Sequence, residues 1–309
     1  MRGWRVLDAT SFEGSIGAAR GRITLASEGG PSHEIAAEEV AILIVGARTT
    51  LSTTALHYLA KHDIAMLAAD WRGVPFVGMY PWSDHSRVAA RHLSQADLSL
   101  PRRKNAWMRI VRAKVSGQAA TLRPIDQAGA SRLEELVKRV RSGDPGNIEG
   151  ASARVYWARL FADDVAFTRD QLDTDTPNAA LNYGYTILRG HGIRAVLSAG
   201  LSPPLGLFHR GRGNYFNLVD DLIEPFRPAV DHTVAHLPAD ATLDDPQVKR
   251  RLVEAANQPF NDEGYRIPAV LEGFAQQLGR YIEGELERLS VPTWTGPKST
   301  SETANDGEE

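Results

Sequence analysis

The chain has 309 residues, 42% of them hydrophobic, and a formal charge of −3, the composition of a globular protein with core enough for two domains or one large one. It has no cysteine, which excludes disulfides, thiol catalysis, cysteine zinc sites and iron–sulfur clusters and fits a reducing cytoplasm. No membrane association is expected, because the apolar run VAILIVGA at 40–47 is far short of a span and the opening MRGWRVLDAT has no apolar signal region.

Residues 1–82 read as a β-rich domain. Short runs at 4–9, 16–18, 22–25 and 33–36 are separated by Gly, Ser and Pro, as strands are by turns. VAILIV at 40–45 is a buried strand by its β-branched content. Leu51, Ala55 and Leu59, four apart, predict a short helix over 52–62. IAMLAAD and VPFVGMY, joined by a turn at 71–73, add two strands to what reads as one sheet. No glycine-rich phosphate loop is present, so a dinucleotide fold is not expected.

From residue 83 the pattern turns helical, with helices predicted at 84–97, 102–122, 130–141, 147–170, 178–199, 215–225, 245–256 and 264–289. The result is an α+β chain: a small β-rich domain, then a larger all-helical domain over 83–290. Residues 291–309 are rich in Pro, Ser, Thr, Gly and acids and predict a disordered acidic tail. Its last twelve residues carry one Lys against Glu302, Asp306, Glu308 and Glu309, which leaves the rest of the chain neutral.

Within that neutral body, PRRKNAWMRIVRAK places Arg102, Arg103, Lys104, Arg109, Arg112 and Lys114 in one run with no acid. Such a run attracts the phosphates of a polymeric anion; the plain alternative is a solvated helix face. Further on, Asn147 is a good N-cap and Glu149 falls in the first turn of the helix it starts. A glutamate there ordinarily compensates the helix dipole, but the small residues 150–153 leave room for another group to approach. Asn182, Tyr183 and Tyr185 read as satisfied core or interface groups.

The densest stretch is PPLGLFHRGRGNYFNLVDDLIEPFRP, residues 203–228. His209 sits in a tight loop between Gly206 and Gly211, flanked by Arg210 and Arg212. Asp221 and Glu224 follow on a short helix, three apart and so on one face, with Asp220 four before Glu224; Pro225 and Pro228 predict its end. One imidazole brought towards clustered carboxylates suits a divalent metal, although exposed acids and a lone histidine are commonly just solvated.

Taken together and in order, IEGASARVYW, PNAALNYGYTILR and GLFHRGRGNYFNLVDDLIEPFRP resemble the CRISPR-associated integrase of spacer acquisition, the metal-dependent nuclease of adaptive immunity. TALHYLAKHDIAMLAADWRGVPFVGMYP also resembles that family's N-terminal domain. The similarity covers residues 4–290, and its wording is most like the versions from type II systems. The resemblance implies a β domain that dimerises, a helical catalytic domain, and a Mg²⁺ or Mn²⁺ site of Glu149, His209 and Glu224 with Asp221 auxiliary. It implies double-stranded DNA as substrate, with the 3′-hydroxyl of a captured fragment attacking a phosphodiester at a repeat edge. Arg210 and Arg212 would clamp phosphates beside the scissile bond, and the run Arg102 to Lys114 would follow the DNA backbone. The implied partners are a second copy, a small companion integrase subunit and the RNA-guided effector nuclease of a type II system. Two other readings use the same residues: a stand-alone divalent-metal nuclease or resolvase for branched DNA, and a non-catalytic DNA-bridging protein. A small phosphate-ester hydrolase fits less well, because the basic run favours a polymer.

Overall fold

The computed structural model describes residues 5–27, 29–70, 75–81, 85–162, 167–170, 176–238 and 240–297. Trp4, the expected turn at 71–73 and residues 298–309 of the expected tail lie outside them. Among the described residues up to 80 there are eight strands: β1 (Arg5–Ala9), β2 (Gly14–Ala19), β3 (Arg22–Ala26), β4 (Ser32–Ala36), β5 (Val40–Val45), β6 (Thr49–Leu51), β7 (Ala65–Ala69) and β8 (Pro75–Met79). Helix α1 (Thr53–Lys61) interrupts them, capped by Ser52, whose hydroxyl accepts the Ala55 N–H. Strand β6 is the strand that the sequence pattern did not disclose.

The strands form two sheets where one was expected. The first has the order β1-β5-β7-β8, parallel except for antiparallel β8. The second has the order β4-β3-β2-β6, antiparallel except for β6, which runs parallel to β2. Two sheets arise because each has an apolar face to cover: Ile16, Ile23 and Leu25 of the second sheet share a core with Leu43, Val45 and Met66 of the first, and α1 adds Leu59. Strand β5 is buried along its whole length. Its other face, through Ile42 and Ile44, belongs to the core of the helical layer, which is why it reads as a continuous apolar run rather than an alternation.

From Val88 onward the described elements are helical: α2 (Val88–Ala96), α3 (Leu100–Leu122), α4 (Gln127–Arg139), α5 (Ile148–Leu160), α6 (Thr176–Ser198), α7 (Asn217–Ile223), α8 (Arg227–Ala235), α9 (Pro246–Ala255) and α10 (Ile267–Ile282), with a 3-10 turn at Glu224–Phe226 between α7 and α8. The α+β architecture read from the sequence is the observed one. Helix α6 lies directly on β5: a Cβ on Gly190 would come within 2.7 Å of Ile42 Cδ1. Tyr183 of α6 also donates to Asp8 of β1 at 2.6 Å, so the helical layer is tied to the first sheet by packing and by a polar bond. Helix α3 packs against α4, α5, α7, α8 and the 3-10 turn, the arrangement that will gather the site.

Helix α7 ends at Ile223, just before Pro225, as expected. Helical structure resumes at once, with Pro225 and Pro228 in the first turns of the 3-10 turn and of α8, a helix the sequence pattern did not disclose; a missing N–H costs nothing there. Helix α5 stops at Leu160 rather than 170, and Phe167 comes back to pack on Trp157 and Phe161. Helix α10 stops at Ile282, where Gly284 adopts a left-handed φ of 85° just past the cap.

The expected tail is corrected at its near end. Residues 291–297 lack regular structure, but Trp294 is 1% exposed and stands 5.8 Å from Phe260, centroid to centroid. One buried indole offsets the ordering of several residues whose composition alone favours disorder. Trp294→Ala is expected to lower the unfolding free energy by about 3–5 kcal/mol, measured as a fall in the urea midpoint.

Candidate metal and phosphate site

Four elements meet along α3. On that helix Arg103, Trp107, Ile110 and Lys114 follow the i, i+4, i+7, i+11 spacing of a single face, and this face looks onto the site. Helix α5 contributes Glu149, the loop before α7 contributes His209, and the 3-10 turn contributes Glu224.

Helix α5 is started by side chains. Asp144 accepts the N–H groups of Ile148 and Glu149 at 3.0 and 2.9 Å, and Asn147 accepts that of Gly150 at 3.1 Å. Asp144 and Asn147 both take a left-handed φ of 47°, a conformation these two residue types tolerate because the side chain bonds locally. The N-cap read from the sequence is therefore in place, and it fixes Glu149 one residue inside the helix.

The His209 loop is held by one carboxylate. Asp221 is fully buried; its Oδ2 accepts Leu207 N–H at 2.6 Å and Phe208 N–H at 3.1 Å. Its Oδ1 accepts His209 N–H at 3.2 Å and lies 2.7 Å from His209 Nδ1. The hydrogen bond from Asp221 raises the His209 pKa, against the effect of burial, and the charge of Glu224 adds to the rise. Burial works the other way on Asp221 and raises its carboxyl, opposed by the imidazole and the backbone N–H groups. With Nδ1 engaged, Nε2 is the ring nitrogen left for a ligand. Phe208 lies flat on Trp107 at 4.4 Å, and the His209 ring stands edge-on to both.

Asp221 was expected as an auxiliary metal ligand. It holds the loop instead, and its oxygens are taken by N–H donors. Asp220, one residue away, pairs with Arg189 at 2.6 Å rather than with Glu224.

Glu149 and Glu224 are brought together by Lys114. Its ammonium lies 2.7 Å from Glu149 Oε1 and 2.6 Å from Glu224 Oε2. Arg227 reaches Glu224 Oε1 at 3.2 Å and lies over the Tyr185 ring at 4.6 Å. Burial alone would raise the Glu224 pKa, but Arg227 and then Lys114 outweigh it and hold the group ionised. Burial likewise works to lower the Lys114 pKa, and the charges of Glu224 and Glu149 outweigh it. Behind Arg227, Asp231 accepts from Tyr156 at 3.1 Å and from Tyr185; burial pushes its pKa up to about 7. Arg227 and Asp231 are the site residues that sequence reading missed. The available signal was the i, i+3 spacing of Arg227 from Glu224.

Among the described residues, no group of three or more His, Asp and Glu side chains converges tightly enough to hold a metal. An ammonium sits between Glu149 and Glu224, and the charge of Glu224 reaches His209. The donor set itself fits a hard or borderline divalent ion: two carboxylates and an imidazole whose far nitrogen is anchored by a carboxylate. Glu224 Oε2 is buried, and the Lys114 ammonium 2.6 Å away shows that this oxygen takes a cation.

The basic run on α3 is divided. Arg102 donates to the carbonyls of Tyr281 and Leu286 and stacks on the Tyr281 ring at 4.1 Å, which joins α3 to the end of α10. Lys114 belongs to the acids. Arg109 bonds Asn105 within its own helix at 3.0 Å, and Arg112 donates to the Val140 carbonyl at 2.7 Å. Lys104 is exposed. Arg103 faces a cleft of about 460 Å³ shared with His209, Arg210, Arg212 and Asn214. Burial lowers the Arg103 pKa, and the neighbouring Arg210 lowers it further. Two guanidiniums facing one cleft with no acid between them are suited to a phosphate.

The family model described as CRISPR associated protein Cas1 matches residues 9–256. A CRISPR-associated endonuclease Cas1 from Neisseria meningitidis serogroup C (strain 8013) is 37% identical over 250 residues, 78% of this chain and 80% of that protein. A Cas1 protein from Thermotoga maritima superposes with a TM-score of 0.77 at 18% identity, covering 93% of this chain and 99% of that one. A casposase bound to its integration product superposes with a TM-score of 0.74 at 20% identity, covering 94% and 93%. No helix among the described residues is long and apolar enough to cross a membrane.

Two changes test this geometry. Asp221→Asn removes the charge shared by three N–H groups and the imidazole; it is expected to cost about 2–3 kcal/mol of stability and to open the 205–213 loop to limited proteolysis. Asp231→Asn probes the buried acid. An acid with a raised folded pKa is stabilising below its unfolded value, and that contribution fades as pH climbs to about 7. Between pH 5 and pH 8 the wild type is therefore expected to lose roughly 2–3 kcal/mol relative to Asp231→Asn, read from urea titrations at each pH.

Proposed function

Because this chain belongs to the Cas1 family of CRISPR-associated proteins, we propose that it is a divalent-metal-dependent DNA endonuclease and integrase that inserts short captured fragments into a repeat array. The observation that carries this reading is that Lys114 joins Glu149 to Glu224 at 2.7 and 2.6 Å while His209 borders a cleft lined by Arg103, Arg210 and Arg212. A cluster of acids that were only solvated would not have one member at 4% side-chain exposure beside a histidine clamped by a buried aspartate.

Glu149, His209 and Glu224 would hold Mg²⁺ or Mn²⁺, which when bound lowers the pKa of an attacking hydroxyl and offsets charge on the attacked phosphate. Asp221 fixes the His209 tautomer and points Nε2 outward. Arg103, Arg210 and Arg212 orient the phosphodiester by its oxygens, and Lys104, Arg109 and Arg112 extend the positive surface along α3. In joining, the 3′-oxygen of the fragment forms a bond to phosphorus at the repeat edge, and the bond from that phosphorus to its original 3′-oxygen breaks. In nicking, water takes the place of the fragment. The same residues serve both, so the outcome depends on which nucleophile is bound.

Insertion of two ends at a fixed separation requires more than one copy of the site. A homodimer built on the β domain, bridged by a small companion subunit, supplies this; a complex containing both Cas1 and Cas2 is among the solved structures that share the fold, with a TM-score of 0.76. The RNA-guided effector nuclease of a type II system remains a proposed partner through the sequence resemblance.

The test is strand transfer of a short 3′-hydroxyl duplex into a supercoiled plasmid carrying the repeat, with the companion subunit and Mn²⁺ or Mg²⁺. Wild type should form joined products, and His209→Ala should lose them by several orders of magnitude. Asp221→Asn should lie between, about ten- to a hundredfold down. Joining by His209→Ala at the wild-type rate would remove the site assignment; metal-dependent nicking without joining would favour a stand-alone nuclease.

A further inference from the structure

The two acids proposed to hold the metal already have cations. Lys114 touches both, and Arg227 touches Glu224, so two carboxylates face two permanent positive charges in a largely water-free space. A divalent ion that entered beside them would leave a strong local excess of positive charge, repelled by an ammonium a few ångströms away. One of the resident cations must move.

Arg227 is not free to do so. It is stacked over Tyr185 and drawn by Asp220 and Asp231 as well as by Glu224. Lys114 is different in kind. Its four-carbon stem is flexible, among the described residues it stacks on no ring, and both of its contacts are with the two acids themselves, Glu149 and Glu224. Three turns along the same face of α3, Arg103 borders the cleft shared with Arg210, where no acid competes for a cation.

We propose that Lys114 is a resident counter-ion which competes with the divalent metal for Glu149 and Glu224, and which, once displaced, pairs with a phosphate of bound DNA. Metal and DNA then strengthen each other's binding through one side chain, and by linkage the effect is reciprocal. The inference rests on the metal-dependent reading above and adds an order to it: without DNA the site favours its own ammonium, and with DNA it favours the metal.

The test measures Mn²⁺ binding by calorimetry and electron paramagnetic resonance, with and without a short duplex, on full-length protein. The proteins compared are wild type, Lys114→Met, Lys114→Gln and Glu149→Gln. Wild type is expected to bind Mn²⁺ weakly alone and about tenfold more tightly with the duplex. Both Lys114 variants are expected to bind Mn²⁺ about tenfold more tightly than wild type without DNA, and to lose most of the gain that the duplex gives. A readout on unaltered protein is reductive methylation of the Lys114 amine, followed by mass spectrometry, which should rise when Mn²⁺ is added. Should Lys114→Met fold only with Mn²⁺, seen as a melting transition that the ion restores, the metal has taken the place of the ammonium, which supports the proposal. Equal Mn²⁺ affinity in wild type and both Lys114 variants, with Lys114 labelling unmoved by metal, overturns it. Loss of binding in Glu149→Gln alongside that result confines the failure to Lys114. With the duplex present, wild type and Glu149→Gln that bind Mn²⁺ equally, or not at all, overturn the metal reading itself.

Discussion

One carboxylate decides whether this site exists. Asp221 is fully buried, and a buried carboxylate is tolerable only when its oxygens are filled by donors. Here they are filled by three consecutive backbone N–H groups and one imidazole nitrogen, all from the loop that carries His209. The loop has no regular structure to satisfy its own backbone, so Asp221 does for it what a helix would do. The requirement runs both ways: without the loop the carboxylate is an orphan charge, and without the carboxylate the loop has no reason to hold one shape. The orientation of His209 is a by-product of that mutual dependence.

A second constraint is the balance of charge across the core of the helical layer. Lys114 joins Glu149 to Glu224, Arg227 joins Glu224 to the ring of Tyr185, and Tyr185 and Tyr156 share Asp231. Each group is buried at a cost that only its neighbours offset, so the chain links α3, α5, α6, the 3-10 turn and α8 as one unit. Membership of the Cas1 family and the shared fold give this arrangement its context: a β-rich region whose first sheet lies under α6, and a helical layer in which α3 carries Arg103 and Lys114 on one face.

The fold was largely legible in the sequence because it rests on periodicity. Seven of the strands and nearly every helix follow from apolar spacing, and the N-caps at Ser52 and Asn147 from side-chain chemistry. Where that reading failed, a tertiary contact overrode a local rule. Trp294 orders a stretch that looks disordered because its indole fills a space beside Phe260, and Phe167 packs back on Trp157 and Phe161 where the spacing predicts more of α5. The division of the strands into two sheets turned on which apolar faces cover each other, and no single strand records that.

The sequence by itself determined the residue types of the site: an acid in the first turn of α5, a histidine in a glycine-flanked loop, two acids three apart, and a basic run on α3. It could not assign their partners. Asp221 and Glu224 share a helical face by spacing, yet one turns to the loop and the other to Lys114, because the loop offers N–H donors and α3 an ammonium. Arg102 and Lys114 stand in the same basic run, yet the one closes on carbonyls at the end of α10 and the other on two carboxylates. The physical reason is common to all of these. A charged side chain taken from water must be met by an opposite charge or a hydrogen-bonding group, and which one meets it depends on elements far away in the chain that only packing brings near.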